Sequence, residues 1–119
     1  MGFYRGKGLS STAESNAESD LGVDLQQLKN EGKIDDIGIS GQWIGLTKPD
    51  RQWPRKKIAL FLDGDKVHEE GNEWDSLVDR VLEFMGWMVL RERYHAPLSK
   101  MRRHEILAKI LTLLEALKS

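Results

Sequence analysis

The sequence predicts an α/β fold: a mixed central sheet of about four strands flanked by helices. Three observations carry this. The run Ile58-Ala59-Leu60-Phe61-Leu62 is uninterrupted and apolar, as in a strand covered on both faces. Trp74, Leu77, Val78, Val81, Leu82 and Met85 recur at three- and four-residue spacings, the period of an amphipathic helix. Trp87-Met88-Val89-Leu90 then reads as a second buried strand. A strand, a helix-length crossover and a strand make a βαβ unit, so 58–62 and 87–90 are expected to be parallel.

The remaining elements follow in order. Residues 1–12, rich in Gly and Ser without apolar periodicity, read as a flexible arm, leaving 13–119 as one domain. A first helix from about Asn16 to Glu31 puts Ala17, Leu21, Leu25 and Leu28 on one face. Ser15 and Glu18 form a capping box at its start, Gly32 supplies the stop, and Gly22 interrupts it. Loose alternation from Ile37 to Thr47 predicts a half-buried strand or hairpin, which Lys48-Pro49-Asp50 ends. Asp63-Gly64 closes the central strand, Asn72 opens the crossover helix and Gly86 ends it. Pro97 precedes a last helix from about Ser99 to Leu117, whose apolar face is wider than a lone surface helix needs, so part of it is expected to meet another chain or a separate domain.

A chain of 119 residues can bury a core without disulfides or a structural metal. No apolar run approaches the roughly 20 residues that span a bilayer, and the first residues lack the apolar stretch of a secretory signal. With no cysteine, disulfides, thiolate zinc sites and cysteine nucleophiles are excluded, and a cytoplasmic location is the expectation. The net charge of −1 hides blocks: −3 over residues 1–40, +4 over 41–60, −6 over 61–86 and +4 over 87–119. Basic flanks around an acidic centre suit an enzyme that holds a divalent cation against a phosphodiester, and equally a protein whose solvated faces differ.

Four acidic or imidazole groups are candidates for chemistry. Asp50 and Asp63 lie on either side of a basic connection and the central strand, where two carboxylates can converge on one Mg²⁺. Alternatively, Asp50 belongs to a Pro-Asp turn and Asp63-Gly64 is a turn dipeptide. His68 falls in a polar loop above the carboxyl end of the central strand, where open α/β sheets bind ligands, and imidazole suits proton transfer near neutral pH. A surface-loop histidine is the plainer alternative. Asp75, with Asp79 and Glu83 behind it at i+4 steps, either caps the crossover helix or reaches back toward His68. The cluster Lys100, Arg102, Arg103 and His104 reads as a solvated or phosphate-facing helix start.

The stretch Pro49-Asp50-Arg51-Gln52-Trp53-Pro54-Arg55-Lys56-Lys57-Ile58-Ala59-Leu60-Phe61-Leu62-Asp63-Gly64, followed by His68, Asp75 and Gly86-Trp87-Met88-Val89-Leu90-Arg91, resembles the very-short-patch repair branch of the PD-(D/E)XK nuclease superfamily over about residues 14–95. The resemblance implies a restriction-endonuclease-like fold and Mg²⁺- or Mn²⁺-dependent hydrolysis of double-stranded DNA. It implies that Asp50 is the principal metal ligand, that the backbone at Leu62 adds a carbonyl oxygen, that His68 transfers a proton, that Asp75 orients it, and that Glu18 completes the site, with Glu14 nearly as well placed. Phe61 stands where related members often carry an acidic residue, and the lysine of the wider E-x-K pattern is absent. Asp63 is then expected as a second ligand or in that lysine's position. The zinc-binding cysteines of the repair members are also lacking, so homing endonucleases with an E-D-x-H-D residue set are the nearer match.

The function expected from the sequence is therefore a metal-dependent DNA endonuclease in which Arg51, Arg55, Lys56, Lys57, Arg91 and Arg93 hold the phosphate backbone. The alternative is a catalytically inactive nuclease-like module for DNA binding or assembly, a homodimer or a separate DNA-reading domain being engaged through the C-terminal helix.

Overall fold

The structure, a computed structural model, describes residues 17–64 and 72–117. These form helix α1 (17–30), strands β1 (Arg51–Trp53) and β2 (Ile58–Asp63), helix α2 (Asn72–Phe84), strand β3 (Met88–Arg93) and helix α3 (Lys100–Ala116). The sheet is mixed, in the order β1-β2-β3. β1 runs antiparallel to β2 with Arg51 opposite Leu60. β2 runs parallel to β3, from Ile58 opposite Met88 to Asp63 opposite Arg93, so the strand pairing of the expected βαβ unit is present.

The alternation of β2 assigns each sheet face its helices, because successive side chains point to opposite sides. Ile58, Leu60 and Leu62 join a core with Ala17, Leu21 and Leu25 of α1, with Trp53, and with Ile106, Leu107, Ile110 and Leu114 of α3. Ala59 and Phe61 pack on the other face with Val78 and Leu82 of α2 and with Trp87. The wide apolar face of α3, expected to reach outward, is therefore largely buried inside this chain. Conversely, only one edge of the apolar stripe on α2 meets the sheet, and Trp74, Leu77, Val81 and Met85 are exposed.

Local chemistry explains where the helices stop and start. At the end of α1 the Gly32 N–H donates to the Lys29 carbonyl (3.0 Å) and the Lys33 N–H to that of Leu28 (2.9 Å), with Gly32 at φ +79°: a Schellman cap. Gly86 closes α2 in the same way, with Trp87 donating to Leu82 at 2.9 Å and packing on the cluster that contains it. The Ser99 hydroxyl accepts the Arg102 N–H (3.1 Å) and caps α3. Of the cation cluster behind that cap, Lys100 and His104 are exposed, whereas Arg102 and Arg103 are tied into the fold. Arg102 and Lys109 both pair with the buried Glu92 carboxylate (2.8 and 2.9 Å), and Arg103 ties α3 to Asp24 of α1 at 2.6 Å.

Three expectations change. Among the described residues the sheet has three strands, not four: the 37–47 stretch contributes only the isolated bridges Ile39–Gln52 and Ile44–Thr47. Gly38, Gly41 and Gly45 all adopt positive φ there, which breaks an extended ladder. β3 is an edge strand, half-buried where a fully buried one was expected. The Glu18 carboxylate bonds to Arg51, across from α1. The other half of its expected capping box, Ser15, and the arm 1–12 lie outside the described residues.

Arg51 and Trp53 lock the irregular 36–38 segment onto β1. Trp53 is fully buried and its indole donates to the Asp36 carbonyl at 2.8 Å. Gly38 lies against it at φ +78°, where an added Cβ falls 2.8 Å from the Gln52 carbonyl oxygen and 2.9 Å from the Trp53 ring. Neither neighbour can yield cheaply, since one is backbone and the other a core aromatic. Gly38→Ala is expected to cost about 2 kcal/mol or more, from left-handed strain plus the clash, read as a lowered urea midpoint at unchanged m-value. A loss below about 0.5 kcal/mol, within the range of ordinary surface substitutions, contradicts this packing.

Candidate active site at the carboxyl end of the central strand

The antiparallel register brings the residue before β1 beside the end of β2. Asp50 donates its N–H to the Leu60 carbonyl (2.9 Å), and its Oδ2 accepts the Leu62 N–H at 2.7 Å. Pro49, fully buried, fixes the approach. The half-buried Asp50 carboxylate thus sits on the backbone at the end of β2. This brings together Asp50 and Leu62, two of the expected metal ligands.

A second cluster forms on the α2 face around Arg91, which lies opposite Phe61 in the β2–β3 ladder. Its guanidinium rests 4.2 Å from the Phe61 ring centroid and grips Asp79 with two bonds, Nη2–Oδ1 at 2.7 Å and Nε–Oδ2 at 3.1 Å. Nη1 reaches both Asp63 oxygens at 3.3 Å and the Asp75 Oδ2 at 3.8 Å. Burial opposes the charge on Arg91. The hydrogen bonds that it donates to Asp79 and the fields of Asp63 and Asp79 outweigh it, and the guanidinium is held protonated more firmly than an ordinary arginine. Three carboxylates against one cation leave the cluster with two formal negative charges.

The expected phosphate contacts are dispersed by this arrangement. Arg51 is 7% exposed and donates to Glu18 Oε2 at 2.8 Å and to the Ile37 carbonyl at 2.7 Å, making it a buried structural arginine. Its guanidinium also explains the glycine inside α1, since a Cβ at Gly22 falls 2.9 Å from Arg51 Nη2. Arg91 is enclosed by the aspartates, and Arg93 is exposed. Arg55, Lys56 and Lys57 lie in the β1–β2 turn at the opposite end of β2 from Asp63, a six-residue strand away, or roughly 17–20 Å. Lys57 donates to the Met85 carbonyl (3.2 Å), and Lys56 lines a cavity of about 280 Å³ with Lys33, Asp35, Leu111 and Glu115.

Glu18, paired with Arg51, belongs to the α1 face of the sheet, whereas Asp63 and Asp75 belong to the α2 face. His68 lies outside the described residues. Asp79, which makes the closest contact to Arg91, is the residue the sequence reading placed only as a helix neighbour of Asp75. Its i+4 spacing from Asp75 was the available signal. No family model, curated protein or solved structure matches this chain.

Arg91 contacts all three aspartates, so its removal leaves like charges facing one another in a partly buried site. Arg91→Met is expected to lower stability at pH 7 by about 2–3 kcal/mol, less than for a fully buried pair because the cluster retains some solvent. That deficit should shrink at high salt, which screens the repulsion among the carboxylates. Denaturant titrations of both proteins at about 0.05 and about 1 M salt measure it; a deficit independent of salt contradicts the electrostatic account.

Proposed function

We propose that this chain is a metal-dependent DNA endonuclease with a restriction-endonuclease-like core. The observation that carries the reading is the seat of Asp50 on the Leu62-Asp63 backbone at the carboxyl end of β2. It supports the nuclease resemblance because a carboxylate entering one strand beside the end of its neighbour is where the Pro-Asp motif of that superfamily works.

The donor chemistry fits Mg²⁺ or Mn²⁺. Asp50 and the Leu62 carbonyl are hard oxygen donors, and Mg²⁺ is commonly held by one or two carboxylates with water and substrate phosphate completing its shell. Among the described residues no group of three His, Cys, Asp or Glu side chains gathers to hold a metal. Asp63 shares its charge with Arg91 at 3.3 Å and serves as part of the acidic surround. When bound, the cation supplies positive charge that polarises the scissile phosphate and stabilises the leaving oxygen. His68 accepts the proton of the attacking water. Asp75, the aspartate least closely held by Arg91, orients the imidazole. The exposed Arg93 and the Arg55-Lys56-Lys57 turn, at opposite ends of β2, hold phosphates far apart along a duplex.

One observation favours a second reading, a nuclease-like module that binds or assembles without cleaving. Arg91 is already a fixed cation among the carboxylates, with Phe61 beneath it.

A cleavage assay on supercoiled and mismatched duplex DNA separates the two. Asp50→Asn keeps an oxygen for the Leu62 N–H but loses the charge, and is expected to abolish Mg²⁺ binding and cleavage while the fold persists. His68→Ala should retain Mg²⁺ affinity and lose roughly 10²- to 10⁴-fold in rate, with a smaller loss for Asp75→Asn. Wild-type protein that binds DNA without cutting it supports the second reading. Independently, duplex binding should weaken linearly in log salt, and Arg55→Ala should reduce the slope by about one unit. A salt-independent affinity removes the phosphate contacts from the proposal.

A further inference from the structure

Helix α2 carries an apolar seam that the sheet does not cover. Val78 and Leu82 pack inward, but Trp74, Leu77, Val81 and Phe84 are 56, 46, 48 and 93% exposed. Their spacing is three, four, three, the a/d repeat of a coiled-coil seam, and exposed Met85 and Met88 extend the patch beyond it. Whole aromatic side chains present about 150–250 Å² and aliphatic ones less, so the exposed fractions amount to roughly 600 Å². That is at the upper end of what monomers ordinarily leave open in one patch. Pairing two copies over Trp74, Leu77 and Val81 removes roughly 600 Å² from these side chains, the size of a small, weak interface.

Charge along the seam identifies the occupant. Glu73 and Arg80 are seven residues apart, on the same flank of the stripe and opposite in sign, and neither has a partner among the described residues. In a parallel pair of α2 helices, Glu73 and Arg80 lie opposite Val78 and Met85 of the second copy, and no opposite charges meet. In an antiparallel pair with its two-fold axis beside Leu77, Glu73 of each copy meets Arg80 of the other. Trp74 then lies across from Val81 of the second copy. A patch that complements itself in shape and in charge under a two-fold rotation is what an isologous interface requires.

We propose that α2 is a homodimer interface, two copies of this chain packing antiparallel through Trp74, Leu77 and Val81 with reciprocal Glu73–Arg80 pairs. The inference is independent of the nuclease reading, because none of these five residues belongs to the proposed site.

Sedimentation equilibrium of the full chain tests it. The wild type should be a dimer at tens of micromolar, about the affinity scale that small interfaces reach. Val81→Glu, at a half-exposed position where circular dichroism should show the fold retained, should weaken association at least about 100-fold by burying an unpaired charge. Glu73→Arg should weaken it about tenfold, and adding Arg80→Glu should restore it, since the reversed pairs are again complementary. A monomer at about 100 µM overturns the proposal and assigns the seam to another occupant, such as a different protein or other residues of this chain. A dimer indifferent to Val81→Glu places the interface elsewhere, and failure of the double reversal to restore association overturns the antiparallel register.

Discussion

The constraint on which the structure depends is that β2 is buried on both faces and hydrogen-bonded on both edges. Its odd and even side chains cannot share one partner, so Leu60 commits the sheet to α1 and α3 while Ala59 and Phe61 commit it to α2. With β1 antiparallel on one edge and β3 parallel on the other, the ends of three elements meet at Leu62-Asp63. Asp50 comes from one edge, Arg91 from the other, and Asp75 and Asp79 from the helix above. A sheet with this alternation therefore concentrates carboxylates where the central strand ends, whatever chemistry they serve.

Arginine organises much of the remaining structure. Arg51 joins α1, the 37–38 backbone and β1; Arg91 joins α2 to β2 and β3; Arg102 and Arg103 join α3 to β3 and α1. A planar guanidinium with five donors can satisfy carboxylates and carbonyls from several elements at once, which a lysine ammonium cannot match in geometry. The cost is desolvation, which each site offsets with more than one acceptor. Basic side chains that look available for a polyanion are consequently occupied inside the protein. In the β1–β2 turn Arg55 and Lys57 are exposed, and Lys57 makes one crossing bond, to the Met85 carbonyl.

The acidic centre and the helix that carries it also separate two surfaces of α2. The side bearing Asp75 and Asp79 faces Arg91, and the stripe through Trp74, Leu77 and Val81 faces away from the sheet. The stripe arises because the apolar arc of this amphipathic helix exceeds what one sheet face covers.

What the sequence determined by itself were the elements whose signals are local. The apolar run of β2, the period of α2, the stops at Gly32 and Gly86 and the start of α3 after Pro97 all depend on residues within a few positions of one another, and each stands where its pattern places it. That Asp50 and the end of β2 could converge was suggested by their places on either side of the strand, but periodicity does not reveal the register that seats the carboxylate on Leu62. Tertiary structure decided the rest. Three positive-φ glycines reduced the 37–47 stretch to isolated bridges, the order of strands put β3 at an edge, and α1 and α3 met across a face that left little of α3 for a partner. Above all, it decided which charges face water. A sequence lists the charge of Arg51 and Arg91, but the side chain's surroundings are set by residues 33 and 12 positions away, and only folding brings those partners within reach.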